Sequence, residues 1–179
     1  MFYVSDILHA APAVCATPLQ REAYRALEQL DIPFERVETD EAITMEDCVL
    51  IEQKLEMKMV KTLLLCDRRQ TSFYLFVTAG GKTFRAKEFS GALGVSRVSF
   101  APAERMEELL GAKIGAATVF SALLDREKRL RVVFDREVAR EEWYGCSDGV
   151  TSSYLKLRTQ RVLRDLLPFA GHPASVIEV

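Results

Sequence analysis

Met59-Val60-Lys61-Thr62-Leu63-Leu64-Leu65-Cys66, then Asp67-Arg68-Arg69-Gln70-Thr71, then Ser72-Phe73-Tyr74-Leu75-Phe76-Val77-Thr78 is the stretch that decides the fold class. Two apolar, β-prone runs joined by a polar tract form an antiparallel hairpin, which Gly80-Gly81 ends. A hairpin excludes a purely parallel sheet. Toward the N-terminus, Thr17 as cap, Pro18 at the first helical position and Gln20 completing a capping box predict a helix. Its apolar stripe is Leu19, Ala23, Leu27 and Leu30, and it stops near Asp31-Ile32-Pro33. A short strand over 34–38 follows, and Thr44 caps a second helix carrying Met45, Cys48, Val49, Ile51 and Leu55. Toward the C-terminus the pattern predicts helices over 86–93 and 102–110, closed by Gly94 and Gly111, and strands over 97–100, 130–134 and 153–157. A helix over 159–166 and a strand over 175–179 complete it. No linker or repeat interrupts this alternation, so one α/β domain on a mixed sheet is expected over 17–179, with 1–16 as an N-terminal extension.

The chain's 179 residues exclude two large domains. A hydrophobic share of 49% supports a real core. Lys and Arg number 24 against 26 acids, a net charge of -2, so any RNA contact must be local rather than a global attraction. The apolar run 73–77 falls far short of the roughly 20 residues that cross a bilayer. The start carries Asp6 and His9 with no basic region before them, so a cytoplasmic protein without membrane contact is expected. Cys15, Cys48, Cys66 and Cys146 form no C-x-x-C pair and read as reduced thiols. With only His9 and His172 besides, neither a metal set nor a Cys–His dyad is written, and no cofactor is expected. Gly80-Gly81-Lys82 follows a strand, but no dinucleotide or P-loop glycine motif occurs.

Lys61 is the chemically unusual residue, a cation at the start of an apolar strand. It reads either as a snorkelling surface lysine or as a functional cation. The basic groups Lys82, Arg85, Lys87 and Lys156, Arg158, Arg161, Arg164 read first as a solvated face, because acids are interleaved and no stacking motif accompanies them.

Thr44-Met45-Glu46-Asp47-Cys48, the run 59–66, Phe73-Tyr74-Leu75, the segment 96–101, Leu110-Gly111-Ala112-Lys113-Ile114-Gly115, the segment 119–125, and Tyr144-Gly145-Cys146 through Leu157 stand in one order and spacing. In that co-linearity the chain, from about residue 20 to 179, resembles the YbaK/prolyl-tRNA synthetase-associated domain family, in its PrdX-like branch. The resemblance implies the editing-domain fold and hydrolysis of mischarged tRNA, alanyl-tRNA(Pro) first, with no metal. The partners it implies are the aminoacylated acceptor end and prolyl-tRNA synthetase. Such editing is needed because a site that admits proline cannot strongly exclude smaller alanine. The family lysine maps onto Lys61 as catalytic residue, and a G-x-x-P-G loop onto Gly111 to Gly115, with Ile114 in place of proline.

Three departures stand beside these matches. Thr62 replaces an asparagine, and an H-P-x-x-N element becomes Ser147-Asp148-Gly149-Val150-Thr151. Thr62, Gly111, Ile114, Gly115, Ser147, Asp148 and Thr151 are therefore the expected substrate-binding residues. Their added hydroxyls predict a shift toward a small polar aminoacyl group such as serine. From the residues alone, Gly111 and Gly115 equally end and start helices, and Ser147 to Thr151 equally form an Asp-Gly turn. The other reading of the departures is a catalytically silent relative that binds an aminoacyl group, an amino acid or a protein partner.

Overall fold

The structure, a computed structural model, describes residues 1–42 and 44–179. Helix α1 (Pro18–Gln29) starts where Thr17 accepts the Gln20 N–H and Pro18 needs no donor. The capping box predicted there is only half made. Gln20 Oε1 accepts from Ala16 N–H at 2.7 Å rather than from Thr17, and its Nε2 reaches across the molecule to Asp148. Strand β1 (Glu35–Glu38) leads to α2 (Met45–Leu55), whose capping box joins Thr44 and Asp47 in both directions. The hairpin β2 (Val60–Asp67) and β3 (Phe73–Ala79) is followed by α3 (Ala86–Leu93), β4 (Val98–Phe100) and α4 (Ala103–Leu110). Beyond it come a 3-10 turn (Val119–Leu123), β5 (Leu130–Asp135), the single turn α5 (Arg136–Ala139), β6 (Trp143–Ser147) and β7 (Ser153–Arg158). A helical stretch over 159–169, π-helical at Val162–Leu166, precedes β8 (Ser175–Ile177).

Among the described residues the strands form a mixed sheet in the order β4-β2-β3-β5-β8 and a separate antiparallel sheet in the order β1-β7-β6. The mixed sheet follows from joining an antiparallel hairpin to β5 and β8, which run parallel to β3 and to each other. The second sheet, and β6 within it, go beyond the expected single sheet. Where the two meet, Met59 bridges Gly145 in parallel, and an added Cβ at Gly145 would stand 2.0 Å from Met57 Sδ and 3.0 Å from the Lys58 carbonyl. Only a missing side chain lets the backbones approach so closely.

Strand alternation divides the hairpin. Leu64, Cys66, Leu75 and Val77 face a core shared with α1 and the β6–β7 sheet, while Leu65, Tyr74 and Phe76 face a smaller one with Phe89, Val98 and Val133. Burying these side chains contributes about 1.5–3 kcal/mol each before chain entropy is subtracted. Residues 1–16 run beside β1, with bridges Val4 to Thr39 and Leu8 to Arg36. No helix among the described residues is long and apolar enough to cross a membrane.

Candidate active site

Strand β4 is short and pairs with β2 only across Leu65 to Asp67. The Ala101 N–H donates to the Leu64 carbonyl at 2.9 Å, and beyond that bond the edge of β2 from Val60 to Leu63 has no partner strand among the described residues. Backbone groups of alternate residues point to the same edge, so the peptide groups of Thr62 are directed to this open side. A cavity of about 650 Å³ lies there. Its walls are α2 (Met45, Cys48, Val49, Glu52), the start of β2, the Gly80-Gly81 bend, the Phe100–Met106 segment, Ile114-Gly115, and Cys146, Ser147 and Tyr154.

Lys61 lines this cavity on the face of β2 that it shares with Thr78, its cross-strand partner. Its Nζ donates to the Lys82 carbonyl just past the glycine bend, and an ammonium carries donors to spare beyond that one bond. Thr62 turns to the opposite face. There its hydroxyl faces that of buried Tyr144. Burial, with Cys146 adding to it and Thr62 opposing, holds the Tyr144 hydroxyl far above the usual tyrosine range.

Ile114 and Gly115 also line the cavity, and Ile114 is 70% exposed at its mouth. Gly115 has φ 90°, a backbone that a β-carbon would strain, so glycine shapes this wall. Gly111 does not line the cavity. It ends α4 in the left-handed conformation at φ 64° and so fixes where the loop begins.

Of the Ser147 to Thr151 group only Ser147 lines the cavity. Its Oγ donates to the Val150 carbonyl at 2.8 Å and accepts from the Gly149 N–H at 3.0 Å, so the turn uses this hydroxyl. Thr151 stands behind Gly115, 3.7 Å from where a β-carbon there would sit, with its hydroxyl 3.4 Å from a Glu41 carboxylate oxygen. Asp148 is fully buried away from the cavity. One carboxylate oxygen accepts from Gln20, Tyr24 and Ser153, and the other makes no hydrogen bond of ordinary geometry among the described residues. Burial raises its carboxyl above the ordinary aspartate range, and the donors only partly oppose that. The hydroxyls of Ser147 and Thr151 thus bond within the turn and to its neighbours, and Asp148 pins the turn to α1.

The basic groups are largely committed within the protein. Lys82 binds Asp135 at 2.8 Å, Glu137 at 3.2 Å and the Val179 carbonyl. Lys156 and Arg158 lie over the Trp143 ring, and Arg161 pairs with Asp165. Among the described residues no three potential metal ligands cluster. The sequence reading missed Glu52, the one carboxylate among the lining residues described. Its signal was a helical register, since Met45, Cys48, Val49 and Glu52 share one face of α2.

Comparison with known proteins bears on the family and the fold. Over 112 residues, 63% of this chain and 68% of the other, the protein is 29% identical to the prolyl-tRNA editing protein ProX of Acetoanaerobium sticklandii. It is 27% identical over 126 residues, 70% of this chain and 68% of the other, to prolyl-tRNA synthetase associated domain-containing protein 1 of Danio rerio. A solved structure described as a proposed trans-editing enzyme for prolyl tRNA synthetase superposes with a TM-score of 0.63 at 16% identity, over 92% of this chain and 99% of that one. A hypothetical protein of known structure gives 0.67 at 17% identity, over 87% and 98%; both likenesses concern the fold. The family model of the aminoacyl-tRNA editing domain matches residues 39–164, a span that holds α2, β2, the glycine loop and β6–β7, and the chain belongs to that family.

Proposed function

We propose that the protein is a trans-acting aminoacyl-tRNA deacylase, with alanyl-tRNA(Pro) as its first substrate and residues 17–179 as its editing module. The observation that carries this reading is Lys61, a cationic residue in the lining of a cavity beside the open edge of β2, in a chain of the editing family. In hydrolysis, water adds to the ester carbonyl carbon, the bond from that carbon to the ribose oxygen breaks, and the water proton ends on the ribose oxygen. In this reading Lys61 stabilises the negative charge that develops as the carbonyl carbon becomes tetrahedral, and the Thr62 peptide group holds the acyl chain against the strand edge. The apolar walls exclude bulk water, which strengthens both contacts.

The donor of the Ser147 hydroxyl is already spent on the Val150 carbonyl and one of its lone pairs on Gly149, which weakens the case for serine over alanine. Single-turnover incubation with a panel of mischarged tRNAs tests the proposal. Hydrolysis of alanyl-tRNA(Pro) ahead of seryl-tRNA on the same tRNA body is the expected result. Failure to hydrolyse any member would overturn it in favour of the silent relative.

A further inference from the structure

The walls described above carry one positive and one negative side chain, Lys61 and Glu52; the other polar groups, Cys48, Thr62, Cys146, Ser147 and Tyr154, are neutral. Glu52 stands where a second cavity, of about 430 Å³, meets the first along Met59, Val60 and the Gly80-Gly81 bend. One of its carboxylate oxygens accepts the Met59 N–H at 2.8 Å. No other hydrogen bond or ion pair reaches that carboxylate among the described residues. The hydroxyls of Ser147 and Tyr154 already donate to the Val150 and Thr151 carbonyls.

An aminoacyl ester brings a positive α-ammonium into this space, one bond from the carbon that carries the carbonyl. A cation left unpaired between Met45, Val49, Leu63 and Met106 would be heavily penalised, and Lys61 repels it. Glu52 supplies the opposite charge and has an oxygen to spare. We infer that Glu52 binds the α-ammonium of the aminoacyl group and so makes a free amino group a condition of productive binding. This rests on the deacylase reading given above. With Lys61 toward the ester and Glu52 on the amine, the two charges orient the acyl group between them, whatever its side chain.

Glu52→Gln isolates the charge, because the amide oxygen still accepts from Met59. The probes are an adenosine whose 3′ position carries alanine through a hydrolysis-resistant amide, and its N-acetylated counterpart, both titrated calorimetrically. The wild type should bind the free amine about tenfold or more tightly than the acetylated probe, and Glu52→Gln should bind the two alike. Equal binding of both probes by the wild type overturns this inference alone. Binding of neither overturns the deacylase reading and this inference with it. A proton-abstracting role for Glu52 would instead slow hydrolysis of alanyl- and N-acetylalanyl-tRNA by the same factor in the Gln variant, and that result also overturns the inference.

Discussion

Gly145→Ala tests the junction that sets the site, because β6 passes the start of β2 there with no room for a side chain. The new β-carbon would lie 2.0 Å from Met57 Sδ, 2.7 Å from its Cε and 3.0 Å from the Lys58 carbonyl oxygen. Met57 is 8% exposed and packs with Val37, Ile51, Leu55 and Tyr154, so turning its thioether away displaces a filled core. The carbonyl must also give by a few tenths of an ångström. Overpacking of this kind costs about 1–3 kcal/mol, and with backbone involved the upper half of that range applies. For a domain of this size each kcal/mol lowers Tm by roughly 2–4 °C, so calorimetry should show a fall of about 5–10 °C. Met57→Ala alone should cost about 2–5 kcal/mol by emptying its place, yet combined with Gly145→Ala it removes the clash. The double variant should therefore be more stable than the sum of the two losses by about 1–2 kcal/mol. A Gly145→Ala protein melting within about 1 °C of wild type would refute the tight junction. Strict additivity in the double variant would refute Met57 as the obstacle.

Lys61→Ala should lower single-turnover deacylation by about 10²-fold or more with an unchanged melting temperature, since the side chain is only half-buried at a strand start; an unchanged rate in the folded variant removes Lys61 from the mechanism. Asp148→Asn should alter how stability depends on pH. Burial raises the folded-state carboxyl, so its stabilising contribution is complete below the ordinary aspartate value and is lost as pH rises through the folded value. Melting curves at about pH 4 and pH 7 should thus move in favour of the Asn variant as pH rises, and a gap that is constant or runs the other way contradicts the assignment. Chelation with EDTA should leave the deacylation rate unchanged, because no three ligand-type side chains gather among the described residues; loss of activity that zinc restores would show the reverse.

Most of the fold was legible because its signals are local. The caps Thr17 and Thr44, the polar tract after Cys66, and Gly94 and Gly111 each fix a boundary through the hydrogen bonds or the φ of a few neighbouring residues. What escaped depends on partners distant in sequence. Strand β6 carries Gly145 at its centre, which weakens a strand signal, and it forms because Trp143 to Ser147 pair with Arg158 to Tyr154. The separation into two sheets rests on β1 pairing with β7 across more than half the chain, a pairing no local pattern encodes. The helix expected over 159–166 runs on to 169. A π-helical turn and Pro168 at the start of a last turn carry it further, because Val162, Leu166 and Leu167 all enter the core.

The candidate site was less legible, for a geometric reason. Lys61 and Thr62 are adjacent in sequence yet project to opposite faces of β2, so a side-chain reading treats them as one constellation where the fold makes two. What unites them is the backbone edge left open when β4 stops at Phe100, a feature of strand length that residue types do not spell. The same holds for Ser147 to Thr151. Replacing an imidazole and an amide by hydroxyls suggested a more polar pocket, but a hydroxyl is polar toward a ligand only if its own turn leaves it unused. Here Val150 and Gly149 use Ser147, and the carboxylate of Asp148 faces Gln20, Tyr24 and Ser153. With those groups committed, the cavity retains an apolar wall of methionine, valine and leucine side chains, the Thr62 hydroxyl, and two opposite charges, Glu52 and Lys61. On the function proposed above, such a site would read the aminoacyl ester by its common atoms and the side chain largely by fit, where one methylene is worth only about 1–3 kcal/mol. Fidelity from this protein therefore depends on which mischarged tRNAs reach it as much as on the pocket itself.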